Sequence, residues 1–249
     1  RLNALVDLMP QEQAMALAAT ADAVPIAERG PLHGLPMAPK DAVTVRGFST
    51  SWGYPGFART VEEQDDELAR RLREAGAIFI GHSNMPEFGL GSHTFNQLYG
   101  HTYNPWDLSK TPGGSSGGAA VALAANMLPL ADGSDLGGSL RNPASFCNVV
   151  GFRPSIGRMP FSRGFGWYGR MVTTGPMAKN VRDTILLFSV MAGPHGSDPL
   201  TLADPGTTFL DALEPLESPD LGRLRIGFSK DLGGLPIDPE VTEITATAA

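Results

Sequence analysis

Residues 113–139 hold two glycine–serine strings on either side of a segment made mostly of alanine and glycine, and this stretch constrains the fold more than any other. The first string is Gly113-Gly114-Ser115-Ser116-Gly117-Gly118; the second is Gly133-Ser134-Asp135-Leu136-Gly137-Gly138-Ser139. Between them Ser116–Asn126 reads as a helix, so narrow that it has to pack closely against its neighbours. Met127–Ala131 reads as a short strand, and Ser139 as the start of a second helix. Backbone N–H groups of Leu136, Gly137, Gly138 and Ser139 then converge at a positive helix end, unobstructed because two of the four residues are glycine. Donors arranged in that way hold an oxyanion. An ordinary glycine turn followed by a serine N-cap is the other reading of such a string.

The rest of the chain reads as alternating helices and strands. Pro10–Ala23 is an alanine-rich helix, and Gly34–Val45 contains a short apolar strand that runs into Lys40 and Asp41. Asp65–Glu74 carries acidic residues in its first turn and arginines in its last, which favours a helix ending at Gly76. Ala77–Gly81 and Asn148–Phe152 are short strand candidates, Val181–Ala192 is an amphipathic helix, and Leu224–Phe228 alternates like a strand. Ser49–Glu63 and Pro199–Pro219 read as loops. This order predicts an α/β fold, with a mixed and mostly buried central β-sheet flanked by α-helices. We read residues 1–249 as a single domain. The start at Arg1, and a helix barely begun after Asp238-Pro239, lead us to expect a domain truncated on its C-terminal side.

Composition narrows the functional classes. Net charge is −7 and the 19 basic residues are scattered, so nothing argues for nucleic acid or an anionic membrane surface as partner. The longest weakly polar run, Ala119–Ala131, is too short to span a bilayer. Cys147 is the only cysteine, so the chain has no internal disulfide, and we expect a cytoplasmic protein. It reads as a buried small hydrophobe. The five histidines show no ligand spacing, and no metal or cofactor is expected.

Three better-known glycine motifs fail. Gly164–Gly169 matches the dinucleotide pattern, but it follows no strand, opens no helix and places Trp167 and Tyr168 where a pyrophosphate must approach. No glycine is followed by Lys and then Ser or Thr, as a P-loop requires. Gly114–Gly118 matches a nucleophile elbow at Ser116, but a loop precedes it where an elbow needs a buried strand.

Thr111–Gly118, Gly133–Arg141, Pro143, Phe146-Cys147 and Gly151–Pro154 together resemble the signature of the amidase signature family. Gly34–Asp41 is similar to that family's lysine segment, and Gly175–Ala178 also fits. The resemblance covers essentially the whole chain. It implies hydrolysis of a carboxylic amide through a Ser–Ser–Lys triad and an acyl-serine intermediate. Ser139 is then the nucleophile, Ser115 the bridging serine and Lys40 the base, with Leu136–Ser139 as the oxyanion hole. A lysine serves as base only when neutral, so Lys40 has to be desolvated. In supporting roles we place Asp135 and Arg141, as a pair bracing the loop, and Ser116, bonding the backbone at its helix start. The partner implied is a small-molecule amide, with a homo-oligomer left open. Two other readings stay open: the A subunit of a tRNA-dependent glutamine amidotransferase, and a catalytically weak fragment or binding module. Ser162–Thr174 does not resemble the corresponding segment of that amidotransferase chain, which favours a stand-alone amidase.

Overall fold

In a computed structural model, residues 1–58, 60–160, 171–216 and 225–248 are described. They divide into two compact units, 1–213 and 214–249. The elements of the first unit begin with β1 (Leu5–Val6), α1 (Gln11–Asp22), β2 (Pro36–Met37) and α2 (Glu67–Glu74). β3 (Ile78–Phe79), β4 (His82–Ser83), β5 (Phe95–Asn96) and β6 (Gly100–His101) follow. Then come α3 (Gly117–Ala124), β7 (Leu130–Asp135), α4 (Arg141–Cys147), β8 (Val150–Gly151), β9 (Thr173–Ala178) and α5 (Val181–Met191).

The fold is mixed α/β, but among the described residues its strands are shared between four small sheets rather than gathered into one. β2 and β3 pair in parallel, while β1/β4 and β5/β6 pair antiparallel. The largest sheet has three strands in the order β7-β9-β8, all antiparallel, with Leu130 opposite Ala178 and Asp135 opposite Thr173. Proline and glycine keep the other strands to two residues: Pro39 supplies no N–H after β2, and Gly76 and Gly81, both at positive φ, bracket β3.

Two apolar clusters form the core. One joins α2, α5 and β3 through Leu72, Phe79, Leu187 and Met191, all buried. The other surrounds α3 with Ala131, Leu140, Cys147 and Met177. Helix ends follow their sequence signals: the Asp66 carboxylate accepts from Ala69 N–H at 2.9 Å to cap α2, and Asn180 accepts from Asp183 N–H at 2.8 Å to cap α5.

The narrowness of α3 is a packing requirement. A Cβ on Gly118 would lie 2.3 Å from Asn84 N, 2.5 Å from Asn84 O and 2.6 Å from Ala4 O. All three are backbone atoms, which cannot rotate away. Gly118→Ala is therefore expected to cost about 3 kcal/mol or more, at the upper end of overpacking effects. That corresponds to a fall in melting temperature of about 6–12 °C by calorimetry.

Three expectations need correction. The strand from Met127 starts later and runs further, through Asp135. Ser139 does not open a helix, since α4 begins at Arg141. Residues 225–228 form no strand; Ile226 and Phe228 are exposed and find no pairing partner among the described residues. In the second unit the described helix is α6 (Pro239–Ala248), where Asp238 accepts from Glu240 N–H at 2.9 Å. Within the loop expected over Pro199–Pro219, Gly206–Leu216 forms a 3-10 run. The Gly164–Gly169 motif and most of Ser162–Thr174 lie outside the described residues. No helix among those described is long and apolar enough to cross a membrane.

Candidate active site

Lys40 follows β2 and bridges Ser83 of β4, which carries it into the interior; it is 1% exposed. Its Nζ donates to three serine hydroxyls: Ser115 Oγ at 2.7 Å, Ser116 Oγ at 3.0 Å and Ser134 Oγ at 3.0 Å. No carboxylate of the described residues lies within 4.0 Å of Nζ to form an ion pair. Burial depresses the Lys40 pKa to about 7, against the opposing pull of Asp132 and Asp135. Near neutrality this amine therefore exists in both protonation states. A neutral amine has a lone pair, which a serine proton can use.

Ser115 and Ser116 reach Lys40 because the first glycine string can enter a tight space. A Cβ on Gly114 would sit 2.1 Å from His93 O. The Gly114–Ser115 peptide is cis, and both serines are buried. Ser116 occupies the N-cap position of α3, yet its side chain makes no capping bond. Its hydroxyl instead accepts from Lys40 Nζ and from Ser134 N–H at 3.2 Å and donates to Ser134 O at 3.5 Å, so it bonds the backbone of β7 rather than of its own helix while also meeting the lysine.

The second string folds around Asp135. Its carboxylate, fully buried, accepts from Gly138 N–H at 2.8 Å and Leu140 N–H at 3.2 Å. These two bonds hold residues 136–140 as a loop, with Gly138 at φ +119°, and delay α4 until Arg141. Arg141 pairs with Asp135 bidentately, Nε and Nη2 each at 3.0 Å, and Arg153 Nε adds a third contact at 3.2 Å. Burial alone would raise the Asp135 pKa. The arginine and N–H bonds prevail and hold it at about 2.

Ser139 lies in this loop, half-buried, and its carbonyl accepts from Ser116 N–H at 3.1 Å, which joins the two strings. Among the described residues its hydroxyl has no hydrogen-bond partner, and neither do the N–H groups of Leu136, Gly137 and Ser139. Leu136 is exposed, and nothing lies within 4 Å of the Cβ position of Gly137. Among the described residues, exposed backbone with unengaged N–H groups thus immediately precedes Ser139 in the chain. Gly138 differs from the expectation, because its N–H is committed to Asp135.

Three residues of the site are given no role by the sequence: Asp132, and Ser134 and Arg153 within the motifs quoted above. Asp132 lies behind the lysine, both of its oxygens 3.3 Å from Lys40 N. Asn84–Gly91, which the sequence alone does not resolve into roles, borders Ser115: the Gly89 Cβ position lies 3.6 Å from Ser115 Oγ. Beside it the rings of Phe88, Tyr54 and Phe57 pack together with centroids 5.3–6.1 Å apart, and all three stay partly exposed. Cys147 is buried and its thiol is pushed up to about 12 by that burial, which leaves it inert.

The class that fold and site define is a mixed α/β protein in which three serine hydroxyls meet one buried lysine. Comparison with known proteins narrows the class. The sequence model of the Amidase family matches residues 1–249, and the chain belongs to that family. It is 39% identical over 219 residues to an acylamidase of Rhodococcus erythropolis, covering 88% of this chain and 45% of that protein. It is 38% identical to the A subunit of the glutamyl-tRNA(Gln) amidotransferase from a Picosynechococcus strain, covering 96% of this chain and 50% of that one. A solved bacterial aryl acylamidase of the amidase signature family superposes with a TM-score of 0.88 at 29% identity, covering 99% of this chain and 51% of that chain. The chain spans about half the length of the curated relatives it matches.

Proposed function

We propose that this chain provides the catalytic centre of an amide hydrolase, and the observation that carries the reading is the 2.7 Å contact between Lys40 Nζ and Ser115 Oγ inside a buried site. Neutral Lys40 takes the Ser115 proton as Ser115 takes the Ser139 proton, so that Ser139 Oγ attacks the amide carbonyl carbon. The N–H groups of Leu136, Gly137 and Ser139 meet the oxygen as it gains charge. Collapse breaks the C–N bond, and the departing amine receives its proton from Lys40 by way of Ser115. Water then attacks the acyl-serine, returns a proton along the same route and releases the acid.

The same centre would serve the A subunit of an amidotransferase, and the similarity to such chains keeps that second reading in view. The exposed ring cluster of Tyr54, Phe57 and Phe88, whose Phe88 precedes the Gly89 that borders Ser115, favours the first, because an aryl or alkyl amide gains more from apolar surface than a glutamine side chain does. A glutaminase assay with and without partner subunits separates the two.

Labelling with a fluorophosphonate, followed by mapping of the adduct, tests the assignment of the nucleophile. The adduct is expected on Ser139, and Lys40→Ala abolishes it. An adduct on Ser116 would overturn the assignment in favour of a nucleophile elbow.

A further inference from the structure

β7 presents two polar side chains to Lys40 from alternate positions, Asp132 and Ser134. Residues two apart on a strand face the same way, about 6.6 Å apart along it. Lys40 spans that interval. Its main-chain N–H lies 3.3 Å from both oxygens of Asp132, and its Nζ donates to Ser134 Oγ at 3.0 Å. One strand therefore grips this lysine at both ends. We propose that Asp132 is a positioning residue for the reaction, its carboxylate anchoring the Lys40 main chain while its negative charge acts on the ammonium that Ser134 holds. The inference rests on the Ser–Ser–Lys reading above.

The charge matters because Lys40 has so little else to balance it. The charge of Asp135 also acts on the lysine, but Arg141 and Arg153 neutralise it. Asp41, next in the chain, turns its carboxylate to Ser51 and to Gly53 N–H. His82 is bonded through Nδ1 to Pro39 O, and Asp66 acts on Asp132 rather than on the lysine. Among the described residues that leaves Asp132, 1% exposed and without an arginine partner, as the main uncompensated negative charge in the neighbourhood. Burial raises its own pKa to about 6, against the N–H bonds and the Lys40 charge that favour its ionised form. Above that pH the carboxylate favours the ammonium and so delays formation of the free base.

The sign of the effect follows. Asp132→Asn keeps an oxygen for the Lys40 N–H and removes the charge, so the base forms at lower pH. The rate of fluorophosphonate labelling, measured against pH on the full-length protein, reads this without knowledge of the natural substrate. The acid limb in Asp132→Asn is expected to move down by about one pH unit, with the plateau within a few-fold of the parent. Asp132→Ala, which also removes the anchor, is expected to lower the plateau about tenfold or more. Ser134→Ala probes the other end of the grip, and is expected to lower the plateau at unchanged melting temperature. A parental acid limb in Asp132→Asn would overturn the proposal. Should that variant fail to fold, a parental labelling profile in Ser134→Ala would do so. If Lys40→Ala itself labels at the parental rate, the Ser–Ser–Lys reading is the one that falls.

Discussion

Lys40→Met lowers amide hydrolysis by about 10³–10⁴-fold, the upper range for loss of a general base, while the protein still folds. Methionine fits the burial and approximate length of the lysine stem and has no basic nitrogen to take the Ser115 proton. kcat carries the loss and KM changes little, since the amine acts on the proton in flight and not on the bound amide. The same variant has a second signature. A lysine whose pKa falls from 10.5 in the unfolded chain to about 7 in the folded one costs stability below pH 7, and that cost disappears as pH rises toward 10.5. The parent should therefore gain on Lys40→Met by ~2–4 kcal/mol across that interval, after allowance for relaxation around the buried amine. Chemical denaturation at several pH values measures the gap. A gap that stays constant from pH 7 to 10 would show that Lys40 is not held as a depressed base.

The helices are legible in the sequence because their signals are local. Asp66 and Asn180 cap α2 and α5 within three residues of themselves, and an Ala/Gly segment at 117–124 has little choice but close packing. The small sheets are not legible, since a two-residue strand such as Pro36–Met37 has no period to detect; its pairing with Ile78–Phe79 depends on contacts 42 residues away. At the site, family resemblance names Lys40, Ser115 and Ser139, and the structure adds how closely the first two approach. Asp132 and Ser134 escape a sequence reading for a definite reason. Apolar residues mark the strand only as far as Ala131, so the alternation that puts both side chains on one face does not reach them until its true end is known. Ser139 reads as a helix start for a related reason: a glycine pair followed by serine looks like a cap. Asp135, taking the N–H groups of Gly138 and Leu140, holds the chain in a loop instead. A carboxylate that satisfies backbone three and five residues ahead competes directly with the helix that would otherwise use those groups.

Asp135→Ala is expected to destabilise the protein by about 2–4 kcal/mol and to reduce kcat by about 10²-fold. The ion pair accounts for the smaller share. Arg141 is more than half exposed at its side chain, so once unpaired it is simply hydrated, and solvent at that end of the pair screens its contribution to roughly 1 kcal/mol. The larger cost comes from the N–H groups of Gly138 and Leu140, both buried and left without an acceptor. Arg141→Ala separates these contributions: it keeps the carboxylate and the Arg153 contact, and should cost no more than about 1 kcal/mol. The kinetic loss has its own origin. Gly138 lies between Gly137 and Ser139, so releasing its N–H frees the backbone donors and the nucleophile to wander together. Denaturant titration and steady-state kinetics on the two single variants decide the matter. Equal losses in Asp135→Ala and Arg141→Ala would mean that the ion pair, and not the carboxylate's grip on the loop, shapes this part of the site.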